Sequence, residues 1–299
     1  MRCALRRRIE PRDHRGARKA TLVAAALAAT LLLSGCGAEF RRGYMPEPVT
    51  GHATQVMHFW NWTWIAALAM GLLVWGLILW CMVAYRRRKN DNGELPPQIR
   101  YNVPLEILYT VVPVIMVGVL FGKTVELQNE MLDTDRPADV TVNVIGKKWS
   151  WDFNYVNENV YIAGTQAVDL RKGEEGIPDT LPHLVLPIDS RVEFVLTSRD
   201  VIHSFWVPQF LTKMDMLPGQ VNTFQVVTTE EGEFMGKCAE LCGAYHSEML
   251  FMVDVVSQEE YDQHIADLEA AGNTGQLDNT LNQYDFHDGQ ELDYEEGTD

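Results

Sequence analysis

Two thiols, an imidazole, a thioether and a carboxylate fall within the twelve residues Cys238-Ala239-Glu240-Leu241-Cys242-Gly243-Ala244-Tyr245-His246-Ser247-Glu248-Met249. Packing alone has no need of that concentration. Soft sulfur ligands suit copper, whereas imidazole suits copper, zinc and iron alike. A mononuclear blue-copper site uses one Cys, together with His and a weak axial Met. Here Cys238 and Cys242 lie four apart, so two sulfurs can bridge two metal ions from one loop. A second imidazole is available upstream, His203 in Asp200-Val201-Ile202-His203-Ser204-Phe205-Trp206. The inventory fits a binuclear copper centre. A bare Cys-x3-Cys pair outside the cell reads equally well as a disulfide, and it is the His and Met at fixed offsets that weigh towards metal.

Such a loop needs a rigid frame. From Val140 onward the chain breaks into short β-branched and aromatic runs separated by turn residues, the pattern of strands. Strands are expected near 139–146, 149–156, 183–187, 191–198, 221–228, 232–237 and 249–256, which indicates a β-sandwich or barrel. Residues 124–138 read as a polar connector and 157–181 as a surface insertion. Along Trp149-Ser150-Trp151-Asp152-Phe153-Asn154-Tyr155, alternation puts Trp149, Trp151, Phe153 and Tyr155 on one face. Most of that stripe is expected to be core. Ser257 and Glu260 form a capping box for a helix running to Ala271, where Gly272 stops it. Residues 284–299 carry seven Asp/Glu and no Lys/Arg, the composition of a solvating tail.

Ahead of the frame lie two apolar stretches. Phe59 to Tyr85 has no charged residue, and 104–122 has only Glu106; each is long enough to cross a hydrocarbon core of about 30 Å. Trp60, Trp62 and Trp64 resemble an interfacial belt, and Arg86-Arg87-Arg88-Lys89 marks the cytoplasmic end of the first span. Glu106 follows Pro104 in the first helical turn, where the helix dipole favours a carboxylate. Residues 1–35 combine a basic start with a short apolar run, the pattern of a secretory signal. The run ends in Leu33-Ser34-Gly35-Cys36, which resembles a lipoprotein cleavage site and makes Cys36 the expected lipid attachment point. Both termini and the strand-rich part are then expected outside the plasma membrane.

The formal charge is −16, and residues 1–35 are net +6, which leaves −22 on the remainder. A chain this acidic is a poor nucleic-acid binder and suits basic protein partners.

The pattern C-x-E-x-C-x-x-x-H-x-x-M, with Val201-Ile202-His203-Ser204 upstream, resembles subunit II of the haem-copper cytochrome c oxidases. The likeness extends from about Phe59 to Val256. It implies a membrane α-helical hairpin carrying an all-β, cupredoxin-like Greek-key sandwich, the metal loop lying between its last two strands. It further implies two copper ions in a copper A centre held by His203, Cys238, Cys242, His246, Met249 and the Glu240 carbonyl. The Glu240 side chain would reach a magnesium ion shared with subunit I. Trp149 would be the point where electrons enter from a cytochrome c, with Asp189 and Asp200 as candidate steering charges. Glu106 would stand at the entrance of a proton pathway into subunit I, although Tyr109 replaces the Trp usual in that segment. Lys213-Met214-Asp215-Met216-Leu217-Pro218-Gly219 resembles a turn of the same family. Subunits I and III, the cytochrome c donor and membrane lipids are the implied partners, and oxygen reduction with proton pumping occurs in subunit I. A thioredoxin-like copper-insertion protein would need helix–strand alternation, a quinol-oxidase subunit II would lack the ligands, and a free cupredoxin would need no hairpin.

Overall fold

A computed structural model describes residues 37–86, 98–165 and 181–281. The signal-like segment with Cys36, most of the basic cluster, much of the 157–181 insertion and the acidic tail lie outside the described residues. Among the described residues, those up to Tyr44 belong to one unit and those from Met45 to another. In the first, the short helix α1 (Ala38–Arg41) is followed by Tyr44, whose ring meets that of Phe40 edge-on.

In the second unit, α2 runs over Gly51–Ala84 and α3 over Val103–Met131. Both are long and apolar enough to cross a membrane. At about 1.5 Å per residue they are roughly 51 and 44 Å long. They therefore reach beyond the apolar stretches read from the sequence. α2 starts at Gly51 because buried Thr50 caps it, its hydroxyl accepting from Ala53 N at 3.4 Å. α3 starts after Asn102, whose side chain accepts from Leu105 N. It continues well into the expected polar connector, where the Lys123–Glu126 pair at 2.5 Å stabilises its exposed turns. Gln55 donates to Glu130 at 3.0 Å, so the start of α2 and the end of α3 lie side by side and the helices are antiparallel. Thr50 also bridges Thr228, which pins this end of the hairpin to the sandwich.

Among the described residues, ten strands form two sheets. They are β1 (Val140–Lys147), β2 (Ser150–Tyr155), β3 (Val160–Ile162), β4 (His183–Pro187), β5 (Arg191–Ser198), β6 (His203–Val207), β7 (Thr212–Met216), β8 (Asn222–Val227), β9 (Gly232–Cys238) and β10 (Leu250–Val256). One sheet has the order β3-β2-β1-β5-β8, the other β4-β10-β9-β6-β7. The cupredoxin-like sandwich is as expected, and three of its strands, β3, β6 and β7, are additions. β7 is a polar edge strand that takes up the first half of the segment expected as a turn, and the turn itself is Leu217 to Gln220, with Gly219 at φ +75°.

The core between the sheets is aromatic. Phe205 stacks on Phe251 at 5.1 Å, Phe194 on Phe224 at 5.1 Å, and Trp151 tilts against Phe251 at 5.0 Å. Gly236 faces the Phe251 ring so closely that an added Cβ would lie 2.1 Å from it. Trp151, Phe153 and Tyr155 are fully buried, as alternation requires. The opposite face of β2 is buried too, with Ser150, Asp152 and Asn154 each at most 2% exposed. Its cover comes partly from the chain beyond α4 (Gln258–Ala270), a helix that begins with the expected Ser257–Glu260 capping box. Asn154 donates to Leu277 O at 3.0 Å and accepts from Leu277 N at 2.9 Å.

Candidate metal centre

Strand β9 ends on Cys238, and β10 begins at Leu250, one residue past Met249. The backbone hydrogen bond from Cys238 N to Met249 O, at 3.0 Å, closes the loop between them. Gly243, at φ +130°, and a tight turn over His246–Glu248 fold that loop back on itself. The amide of Ala239 donates to Ser204 O, so the loop is also fastened to β6, whose first residue is His203. His203 in turn packs on Gly146 at the end of β1, where an added Cβ would lie 3.1 Å from the imidazole.

This bracing gathers the donors. Cys238 and Cys242 are buried, free thiols with sulfurs 3.8 Å apart. A disulfide requires about 2.05 Å, so the disulfide reading does not describe this arrangement. His203 presents Nδ1 to Cys238 Sγ at 3.8 Å, and His246 presents Nδ1 to Cys242 Sγ at 3.6 Å. Met249 Sδ lies 3.7 Å from Cys242 Sγ, and Cys238 Sγ donates to the Glu240 carbonyl at 3.2 Å. The ligand atoms of His203, Cys238 and Cys242 all fall within 4.8 Å of one another. Two sulfurs flanked by two imidazoles, a thioether and a carbonyl form a soft, nitrogen-capped set that suits copper.

Electrostatics favour one thiolate and resist a second. The Cys242 hydrogen bond holds the Cys238 thiol well below its ordinary value, against the opposing effect of burial. The same contact pushes Cys242 up, reinforced by burial and by the neighbouring thiolate. Only a bound cation would let both sulfurs ionise together, as metal ligation demands.

The spacing Asp200-x-x-His203 signals an orienting carboxylate that sequence reasoning overlooked. Asp200 is 6% exposed and binds His203 Nε2 through Oδ1 at 2.8 Å. It also accepts from Lys148 N and Val201 N, each at 2.6 Å. Burial acts against its charge, but these hydrogen bonds outweigh burial and hold its pKa below the usual carboxylate value. On His203 burial again opposes the charged form, and the bonds to Asp200 and Cys238 raise its pKa overall. A carboxylate on the outer ring nitrogen fixes which nitrogen faces a metal. Asp200 is therefore not the exposed steering charge that was expected. Asp189 is exposed, but it lies in the turn before β5, at the opposite end of the sandwich from the loop.

Trp149 sits half-buried on the loop's outer side. Its indole donates to Cys242 O at 3.2 Å and meets the Tyr245 ring edge-on at 4.9 Å. Gly243 leaves room for it, since a Cβ there would lie 2.9 Å from the indole. Glu106 is remote from this cluster, near the start of α3, where its carboxylate accepts from Asn102 N at 2.9 Å. Cys36 lies outside the described residues.

Two family models match the chain. "Cytochrome C oxidase subunit II, periplasmic domain" covers residues 140–256, and "Cytochrome C oxidase subunit II, transmembrane domain" covers 39–122. The chain belongs to the cytochrome c oxidase subunit II family. Among relatives in that family, a probable cytochrome c oxidase subunit 2 of Streptomyces avermitilis is 47% identical, across 84% of this chain and 88% of that one. A cytochrome c oxidase subunit 2 of Corynebacterium glutamicum is 34% identical, across 86% and 87%. The crystal structure of the periplasmic domain of subunit II of cytochrome oxidase (CoxB) of Bradyrhizobium japonicum is 28% identical with a TM-score of 0.41, covering 46% of this chain and 97% of that domain.

Proposed function

We propose that this chain is the electron-accepting subunit of a cytochrome c oxidase, taking electrons from a cytochrome c donor into a binuclear copper A centre and passing them to subunit I. The observation that carries this reading is the pair of free, buried sulfurs 3.8 Å apart, each with an imidazole Nδ1 beside it. His203, Cys238, Cys242, His246, Met249 and the Glu240 carbonyl would hold two copper ions. Two copper ions held there would supply a one-electron couple, the charge change being shared between them. The protein's own contribution is rigidity. Asp200 fixes the His203 ring, the Cys238–Met249 hydrogen bond fixes the loop, and burial of both cysteines excludes water. A site that moves little on gaining an electron reorganises little and transfers fast.

Trp149, hydrogen-bonded to the Cys242 carbonyl, would carry electrons in from the donor. The half-buried Glu240 side chain would face magnesium at the contact with subunit I. Glu106 would serve the proton pathway from the cytoplasmic end of α3, and subunits I and III with membrane lipids would cover the exposed apolar hairpin. The metal-bearing sandwich would face the outside, with Cys36 lipidated as a supplementary anchor.

The test uses the full chain in detergent, loaded with copper. Two copper ions per chain and a seven-line electron paramagnetic resonance signal are expected. One copper with a four-line signal, or a Cys238–Cys242 disulfide indifferent to copper and reductant, would overturn the reading.

A further inference from the structure

Beyond α4 the described residues stay against the sandwich. Gly272, at φ +83°, turns it back, and the next residues run across the outer faces of β1, β2 and β3. Asn273 O accepts from Tyr161 N at 3.0 Å, and Gly275 N donates to Asn159 O at 2.8 Å. Gln276 donates to Tyr155 O at 3.1 Å, Leu277 pairs with Asn154 through both backbone groups, and Asn279 donates to Asn143 Oδ1 at 2.9 Å. Asn143 and Asn154 are 5% and 1% exposed, so this segment covers their polar groups and supplies them with hydrogen bonds as it does so.

The segment then reaches Arg199. Asp278 Oδ2 lies 3.2 Å from the Arg199 guanidinium, and the Thr280 carbonyl accepts from Arg199 Nε at 3.3 Å. The Arg199 side chain is only 12% exposed, and its backbone amide donates to Gly146 O, beneath the His203 ring. The next residue is Asp200. Its carboxylate holds a metal-site imidazole with one oxygen and, with the other, the amide that precedes Trp149. One carboxylate thus sets both the inner ligand and the outer indole, and the residue beside it is gripped by the C-terminal segment.

We infer that residues Asn273–Thr280 are a positioning strap for the metal site, clamping Arg199 through Asp278 and the Thr280 carbonyl so that Asp200 keeps His203 and Trp149 in register. The inference rests on reading the site as a copper centre, but the strap's grip can be measured without metal. Arg199 and Asp278 are not among the candidate ligands, and the neighbour through which they would act on the site is Asp200.

The experiment follows hydrogen exchange at the Lys148 and Val201 amides, both of which donate to Asp200, in the full chain without copper. Arg199→Ala and Asp278→Ala should each speed exchange there about threefold, the scale expected of a part-exposed ion pair. Asp278→Glu should restore the native rate. Gln276→Ala, which removes a strap contact remote from Arg199, should leave those two amides unchanged. After copper loading, the Arg199→Ala and Asp278→Ala variants should release copper to a chelator about threefold faster. Unchanged exchange at Lys148 and Val201 in both variants would overturn the inference. So would an equal change in Gln276→Ala, which would mean the strap merely loosens the whole sheet. If no variant and no wild-type chain binds copper, the copper reading fails while the exchange result still decides the strap.

Discussion

Leu72 in α2 stands 76% exposed, whereas Phe251 in β10 is fully buried, although both are large apolar side chains. The contrast runs through the whole second unit. The hairpin turns apolar residues outward on every side, and Trp75, Leu77, Val114 and Phe121 are all more than half exposed. A helix apolar all round is stable only where its surroundings are apolar too. The sandwich instead completes its own interior, ring against ring, and satisfies its buried indole by the bond from Trp151 Nε1 to Met249 O. One region is finished by its environment and the other by itself. The candidate metal donors belong to the second kind, since their positions depend on hydrogen bonds within the chain and not on lipid.

If that division holds, damage to the site should leave the hairpin untouched. Cys242→Ser should produce the largest effect, complete loss of the binuclear signal, because one thiolate cannot make both bridges. The variant should remain membrane-bound and be extracted only by detergent. Release of the variant into the aqueous fraction would show that the two regions do not behave separately.

Phe251→Ala comes next. The ring packs against Trp151, Phe153 and Phe205, and its loss should cost about 3–5 kcal/mol. Chemical denaturation followed by tryptophan fluorescence should move its midpoint by that amount, with helical circular dichroism of the hairpin retained. A loss under 1 kcal/mol would mean that the aromatic core is not what holds the sandwich.

Trp149→Gln should act on rate alone. The half-buried indole sits at the margin of the core, donates to Cys242 O and meets Tyr245 edge-on, so folding should change far less than electron entry. Electron entry from a cytochrome c, measured by rapid mixing, should slow about a hundredfold, equivalent to roughly 2.7 kcal/mol of barrier. Near-normal entry with an intact copper spectrum would reduce Trp149 to a packing residue.

The two regions were also legible in different ways. The hairpin was read from composition, which marks where lipid begins but not where a helix does. Thr50 and Asn102 set the helix starts by capping, and α3 runs on to Met131 through residues that look like a connector. In the sandwich, the candidate donors were visible because residue type and spacing carry the chemistry, and the fold brings them together. β6 and β7 were not, because His203-Ser204 and Thr212-Lys213 open them with polar residues that look like loop. Asp200 was misassigned for a related reason. A carboxylate reads as a surface charge unless its hydrogen-bond partners are known, and Lys148 N lies 52 residues away in sequence. The strap was illegible altogether, since its Asn and Gln side chains gain meaning only from the polar face they cover.

The smallest expected effect tests the hairpin. In water, replacing a leucine that makes close contacts would remove hydrophobic burial, and in a core it would cost several kcal/mol. Leu72 has lipid as its neighbour on this reading, and lipid is as apolar in the folded chain as in any partly unfolded one. Leu72→Ala should therefore move the denaturation midpoint of the sandwich by less than about 0.5 kcal/mol. The copper signal and the exchange rates at Lys148 and Val201 should be those of the unaltered chain. Should Leu72→Ala instead destabilise the sandwich on the scale of Phe251→Ala, the Thr50–Thr228 bridge would have to transmit hairpin packing into the core. The metal site would then owe its rigidity to the membrane as well as to its own sheets.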